Sequence, residues 1–257
     1  MIRALLTVLA LSCAPAAADE AAPSGALGVY RAGDWVRAEE LAASGSDASS
    51  RTLAAQAVLA QLMSGALADT PERTRRELAR RAQRHAEAAL NIDPDYAPAH
   101  LRLAAGFGYE GRYVRPIRAA FMRLPQRGRI HIEQAMALDP TDPWGPAMLG
   151  AWHFEVARRG GEGTFGSDLA EGFRHYRAAV AVGTVEPAIP YHFALALVAL
   201  DPVAHRDEID VLLARVDQSE AAGAFDETAR QLAASLAETL ARDPEAARAL
   251  AVERLED

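Results

Sequence analysis

Apolar and small residues return at helical spacings through most of this chain, and the helices they predict come in look-alike pairs. In "AQRHAEAALNIDPDYAPAHLRLAAGFGYEGR", Ala82, Ala86 and Ala89 are followed by Pro94, at spacings of 4, 3 and 5. In "GRIHIEQAMALDPTDPWGPAMLGAWHFEVARR", Ile132, Ala135 and Pro140 keep the last two spacings. A third copy runs through Tyr176 and Ala179, with Thr184 where the proline would fall. Each stripe predicts a helix that a neighbour can approach closely. The Asp-Pro step predicts its end, because proline disfavours helix in the residue before it and suits the first turn of the next helix. The following helix carries Leu103-Ala104, Leu149-Gly150 or Phe193-Ala194 at matching places. The prediction is an all-α array of helical hairpins, clearest over 75–200. It extends back to "ALGVYRAGDWVRAEELAAS", where Gly33-Asp34-Trp35 reads as the turn between two helices, and forward to C-terminal helices over 201–257.

These residues resemble the tetratricopeptide (TPR) repeat, in the degenerate form found in secreted bacterial proteins. The resemblance implies a solenoid of hairpins, each burying its apolar face on the next. Pro94 and Pro140 are 46 residues apart, and Pro140 and Thr184 are 44 apart, against a usual period of about 34. Both excesses fall between the two helices of a hairpin, at "GRYVRPIRAAFMRLPQRG" and "RRGGEGTFGSD". The resemblance therefore implies extended hairpin turns that emerge along one edge. The run Leu149 to Ala157, L-G-x-W-x-F-E-V-A, is also similar to the TPR-like region of the regulator-of-microtubule-dynamics family.

The chain opens with one arginine, a short apolar core from Ala4 to Leu11, and Ala16-Ala17-Ala18. That pattern predicts a signal peptide over 1–18, cleaved after Ala18, with the solenoid over 19–257. A bacterial periplasmic or secreted location follows as an expectation. The only cysteine, Cys13, lies in this segment. A lipoprotein attached there is the alternative. Cleavage after Ala18 leaves no thiol for disulfides or cysteine metal sites.

Charge narrows the partners. There is no lysine, and the net charge of −8 argues against nucleic acid. From Pro71 to Ile130 there are 13 Arg against 6 acids, whereas from Asp201 to Asp257 there are 6 Arg against 14 acids. Two solvated helix surfaces would account for this. So would an arginine surface for an anionic partner, or head-to-tail pairing between copies.

Candidate chemistry is sparse. Gly161 to Gly166 fits G-x-G-x-x-G, but a dinucleotide loop needs a strand before it and a kinase loop needs a lysine. Here a helix precedes it, and Asp168 with Glu171 suits the cap of the next helix. It reads as a lengthened turn. His131-x-Glu133 and His153-x-Glu155 diverge on a helix and predict no metal site. No H-E-x-x-H or G-x-S-x-G is present. No cofactor and no catalytic residue are expected.

Two surfaces remain. The first helices of the hairpins would line a concave, apolar groove through Tyr109, Trp144, Phe154 and Tyr191, open to a peptide or covered by the C-terminal helices. The two insertions would bring together a basic edge of Arg112, Arg115, Arg118, Arg123, Arg127, Arg158 and Arg159. The expected function is a non-catalytic adaptor binding a protein or peptide. Self-assembly in the envelope is the alternative, and an unrecognised enzyme a third. Peripheral membrane contact and homo-oligomers are compatible with these surfaces.

Overall fold

The computed structural model describes residues 25–64, 67, 69–182 and 186–256. The expected signal peptide, Cys13 and Thr184 lie outside them. The described residues are all-α, with 13 α-helices and no strand. In order these are α1 (Ala26–Arg31), α2 (Trp35–Ala43), α3 (Ala48–Met63), α4 (Glu72–Ile92), α5 (Ala97–Arg112), α6 (Pro116–Phe121) and α7 (Leu124–Leu138). Then come α8 (Trp144–Gly160), α9 (Leu169–Ala181), α10 (Ala188–Leu200), α11 (Arg206–Gln218), α12 (Ala224–Arg242) and α13 (Pro244–Glu256). Sequence neighbours pack as hairpins: α3 on α4, α5 on α7, α8 on α9, α10 on α11 and α12 on α13.

The helix stops are built alike. Asp93, Asp139, Asp201 and Asp243 end α4, α7, α10 and α12 in non-helical conformations, each just before a proline. In all four the Oδ1 accepts the N–H two residues on, at 3.1, 3.0, 3.0 and 2.9 Å. The carboxylate thus replaces the helical partner that the chain has lost, and proline starts the turn away. The last two stops continue the Asp-Pro pattern into the C-terminal helices.

The small-residue stripe faces inward. Ala82, Ala86 and Ala89 are buried, as are Ile132, Ala135, Tyr176 and Ala179. Leu103, Ala104, Leu149, Phe193 and Ala194 are buried opposite them. The first insertion folds into α6 and the first turn of α7. The second forms a turn of 3-10 helix at Thr164–Gly166. Both sit between the two helices of a hairpin, as the period requires.

Helix α10 is apolar on every side, and every residue from Ala188 to Ala199 except His192 is buried. Such a helix has to be surrounded. It packs against α8, α9, α11, α12 and α13, while His192 Nε2 lies 3.3 Å from Met63 Sδ of α3. The ends of the array also meet. Phe225 of α12 packs on both the α1–α3 cluster and the C-terminal core, and a Cβ on Gly33 would stand 2.9 Å from Ala224 Cβ. The first-helix faces therefore look onto other helices rather than onto an open channel.

Candidate functional site

The residues proposed for the groove sit around α10. Phe154 and Tyr191 are 7% and 2% exposed, inside the C-terminal core. Trp144 is half-buried, and its Nε1 donates to Glu186 at 3.0 Å. Tyr109 packs beside Val58, Leu59 and Leu62 and carries the Arg112 guanidinium over its ring at 4.6 Å. An open peptide channel through these four is replaced by packing, because α10 occupies the concave side.

What stays accessible is a cleft of about 170 Å³ where α5, α8, α9, α10 and α13 converge. Phe154, Leu169, Leu200 and Leu255 contribute its apolar surface, and Arg112, Glu155 and Arg158 stand among its polar residues. Arg158 is engaged, with Glu155 at 3.0 Å and Glu256 at 3.3 Å. Burial alone would ease its proton off, but the two carboxylates outweigh that and hold it more firmly charged. Arg112 has the Tyr109 ring and no carboxylate partner among the described residues. Its charge, added to burial, pushes the His192 imidazole down to about 4, so that ring is neutral at pH 7.

The seven arginines of the basic edge fall into two groups. Arg159 Nη1 donates to the Gly111 carbonyl at 2.7 Å, which fastens the end of α8 to the start of the first insertion. The two insertions thus share an edge. Arg127 lies over the Phe107 ring at 4.0 Å and 4.0 Å from Glu87. Arg115, Arg118 and Arg123 are exposed on and beside α6. Of the acids near them in sequence, Glu155 pairs with Arg158 and Arg159, whereas Glu110 turns inward to Arg76 and Arg80. Glu162 instead accepts the Leu169 N–H at 3.3 Å.

The glycine loop offers few free donors to a phosphate, since the N–H groups of Gly161, Gly163, Thr164 and Gly166 bond within the loop or to the end of α8. Gly161, Gly163 and Gly166 have φ of 86°, 86° and 80°, the left-handed region that glycine enters without strain. The N–H groups at the start of α9 are already occupied. That of Asp168 donates to His153 Nδ1 at 3.0 Å, and those of Ala170 and Glu171 donate to Asp168 Oδ1 at 2.8 and 3.1 Å. With Glu162 on Leu169, four successive donors are satisfied, three of them by carboxylates that would repel an anion.

Two of the histidines satisfy each other. His100 Nδ1 lies 2.8 Å from His131 Nδ1, and His100 Nε2 lies 2.9 Å from the Pro94 carbonyl. The carbonyl can only accept, so a neutral His100 carries its proton on Nε2 and His131 donates from Nδ1. Among the described residues no group of three or more His, Cys, Asp or Glu is placed to hold a metal.

Sequence reading missed an interior polar chain. Gln56 Nε2 donates to Tyr30 Oη at 3.0 Å, and Arg102 Nη2 donates to Gln56 Oε1 at 3.2 Å. Burial raises the Tyr30 phenol to about 12. These residues come from α1, α3 and α5, and no motif joins them. The only sequence signal was polar residues at inward positions of apolar helices.

Fold and site together define a helical-hairpin protein with a small apolar cleft and a basic edge. The family model described as regulator of microtubule dynamics protein 1-3 matches residues 37–160, from α2 to the end of α8. The matched region contains all seven edge arginines with Tyr109, Trp144 and Phe154, and stops before α9 and α10. No curated protein matches the chain.

Proposed function

We propose that this chain is a non-catalytic interaction scaffold of the bacterial envelope, built on TPR-like hairpins. It holds a short apolar segment of a partner protein in the cleft over Phe154. The observation that carries this reading is Arg112, a cation without a carboxylate partner among the described residues, beside apolar Phe154 and Leu169. An apolar side chain followed by a carboxylate would meet both. The non-catalytic part is supported by the engaged histidines, with His100 on His131, His153 on the Asp168 N–H and His192 against Met63 among the described residues. The envelope location rests on the first 18 residues. N-terminal sequencing of the native protein should give a start at Asp19, and a start at Cys13 or Met1 would defeat that part. Pairing between copies is less favoured, since Glu256 of the acidic end already binds Arg158 of the same chain.

The cleft is tested by placing a photo-crosslinking residue at Leu169, in cells, with Val211 on the exposed side of α11 as the control. A discrete partner should appear from Leu169 only, and Arg112→Glu should remove it. Equal capture from both positions, or capture that ignores Arg112, would sink the reading.

A further inference from the structure

Helix α6 holds its two largest apolar side chains in solvent, with Ile117 81% and Phe121 89% exposed. Single exposed apolar residues are ordinary, but this pair is organised. At about 100° per residue the two stand about 40° apart on the helix. Ala119, the buried residue of α6, lies on the opposite side. The pair therefore points away from the body. Val114 and Leu124, at either end of the segment, are buried and fix it as a knuckle. Around it stand Arg115, Arg118 and Arg123, all exposed and with no ion pair among the described residues. Most other exposed arginines among the described residues, such as Arg174 and Arg177, bind a carboxylate.

We propose that α6 docks the chain on an anionic lipid bilayer. Phe121 and Ile117 enter the boundary between headgroups and acyl chains, and the three arginines meet lipid phosphates. This does not depend on the cleft or its partner. A protein interface of ordinary size buries about 800 Å² on each side, more than a six-residue helix can offer. A bilayer requires only shallow insertion, about 5–10 Å, and rewards basic residues beside the apolar tip. The net charge of −8 repels the rest of the molecule from such a surface and so orients α6 toward it. A second copy is the rival occupant. Its acidic α11 offers Val211, with Val203 in the turn before it, as exposed large apolar residues among the described ones, two small side chains against Phe121 and Ile117.

The test is flotation of the full chain with phosphatidylglycerol–phosphatidylcholine vesicles, against phosphatidylcholine alone. The native chain should float with the anionic vesicles, less so as salt rises. Phe121→Asp and the double variant Arg115→Glu/Arg118→Glu should each bind at least tenfold more weakly. All variants share residues 1–24, so the differences belong to α6. In Phe121→Trp the emission should shift to the blue with anionic vesicles and be quenched by brominated acyl chains. Thermal melts should match the native chain, since these side chains are exposed, and Phe121→Ala serves if Phe121→Asp does not. Binding by Phe121→Asp equal to native, or a Phe121→Trp emission that brominated chains leave unquenched, would overturn the proposal. So would a concentration-dependent dimer that Phe121→Asp abolishes, which would place the pair against a second copy.

Discussion

The ring of Tyr176 rests on the bare α-carbon of Gly150: a Cβ there would stand 2.7 Å from Tyr176 Cδ2 and 3.0 Å from the Gly172 carbonyl oxygen. The contact is reciprocated, since a Cβ on Gly172 would meet the Phe154 ring at 2.9 Å. Helices α8 and α9 thus each carry a glycine that receives the other's aromatic ring, which fixes their separation and register. Tyr176 cannot swing aside, because it stacks on Phe193 at 4.6 Å with planes 3° apart. Gly150→Leu should therefore overpack the contact and cost about 1–3 kcal/mol or more. Gly150→Ala should also destabilise, although alanine favours a helix over glycine by about 1 kcal/mol. Thermal melts decide. An unchanged Tm in Gly150→Leu would mean that the ring is not confined.

Glu110 joins α4 to α5 from a buried position. It accepts from Arg80 at 2.7 Å, Arg76 at 3.0 Å and Gln83 at 3.1 Å. Burial by itself would raise its carboxyl, but these donors more than offset it and hold it below the usual glutamate value. Its stabilisation is thus present above the unfolded value of 4.5 and lost as pH falls through the lower folded one. Glu110→Gln should cost about 3–5 kcal/mol, as when one partner of a buried ion pair is removed, and should flatten the stability profile below pH 4.5. A urea titration of both proteins at several pH values checks this. A loss of less than about 1 kcal/mol, the range of surface pairs, would place the clasp in solvent.

If the glycine loop is a turn, its backbone rather than any ligand should govern it. Gly163 has φ 86° with no heavy atom within 4 Å of a built Cβ. Gly163→Ala should then destabilise through backbone strain alone, by about 1–2 kcal/mol. Adding ATP or NAD should leave the Tm of native and variant unchanged. A nucleotide-dependent rise in the native Tm would restore the phosphate-loop reading.

The hairpins were legible because close packing writes itself locally. Ala82, Ala86 and Ala89 repeat because one helix lies on another, and Asp93-Pro94 repeats at Asp139, Asp201 and Asp243 because each stop uses the same turn. Gly150 stood out for the same reason. The closure of the array did not show. It depends on α10 being apolar all round, a pattern that alone does not say what surrounds it, and on Phe225 meeting α1–α3 across nearly the whole chain. Tyr109, Trp144, Phe154 and Tyr191 carry an inward-facing apolar pattern in the sequence, but an open groove and a filled one require the same apolar residues. The arginine edge was legible as a spacing, whereas which arginines pair was not, since Arg158 meets Glu256 from the far end of the sequence.

The histidines should make this protein sensitive to mild acid. Burial, then the neighbouring His100 and Arg127, holds His131 down at about 4, and burial with Arg112 does the same for His192. His153 and His175 are also lowered, chiefly by burial. A histidine with a depressed folded value favours the folded state fully above its unfolded value. That contribution is lost as pH falls from 6.5 toward 4, because the unfolded chain takes up protons that the folded one refuses. Asp226 works the other way: burial raises its carboxyl, so its cost to the fold is relieved as pH drops. The net slope alone therefore does not identify the histidines, and a variant has to. In His131→Asn the amide can still donate to His100 Nδ1 but does not titrate, and in His192→Leu the apolar contact is kept. Urea unfolding of the double variant between pH 6.5 and 4 should show a clearly shallower loss of stability than the native chain, with the two curves parallel above pH 7. If the slopes in that window coincide, the acid sensitivity lies with the carboxylates.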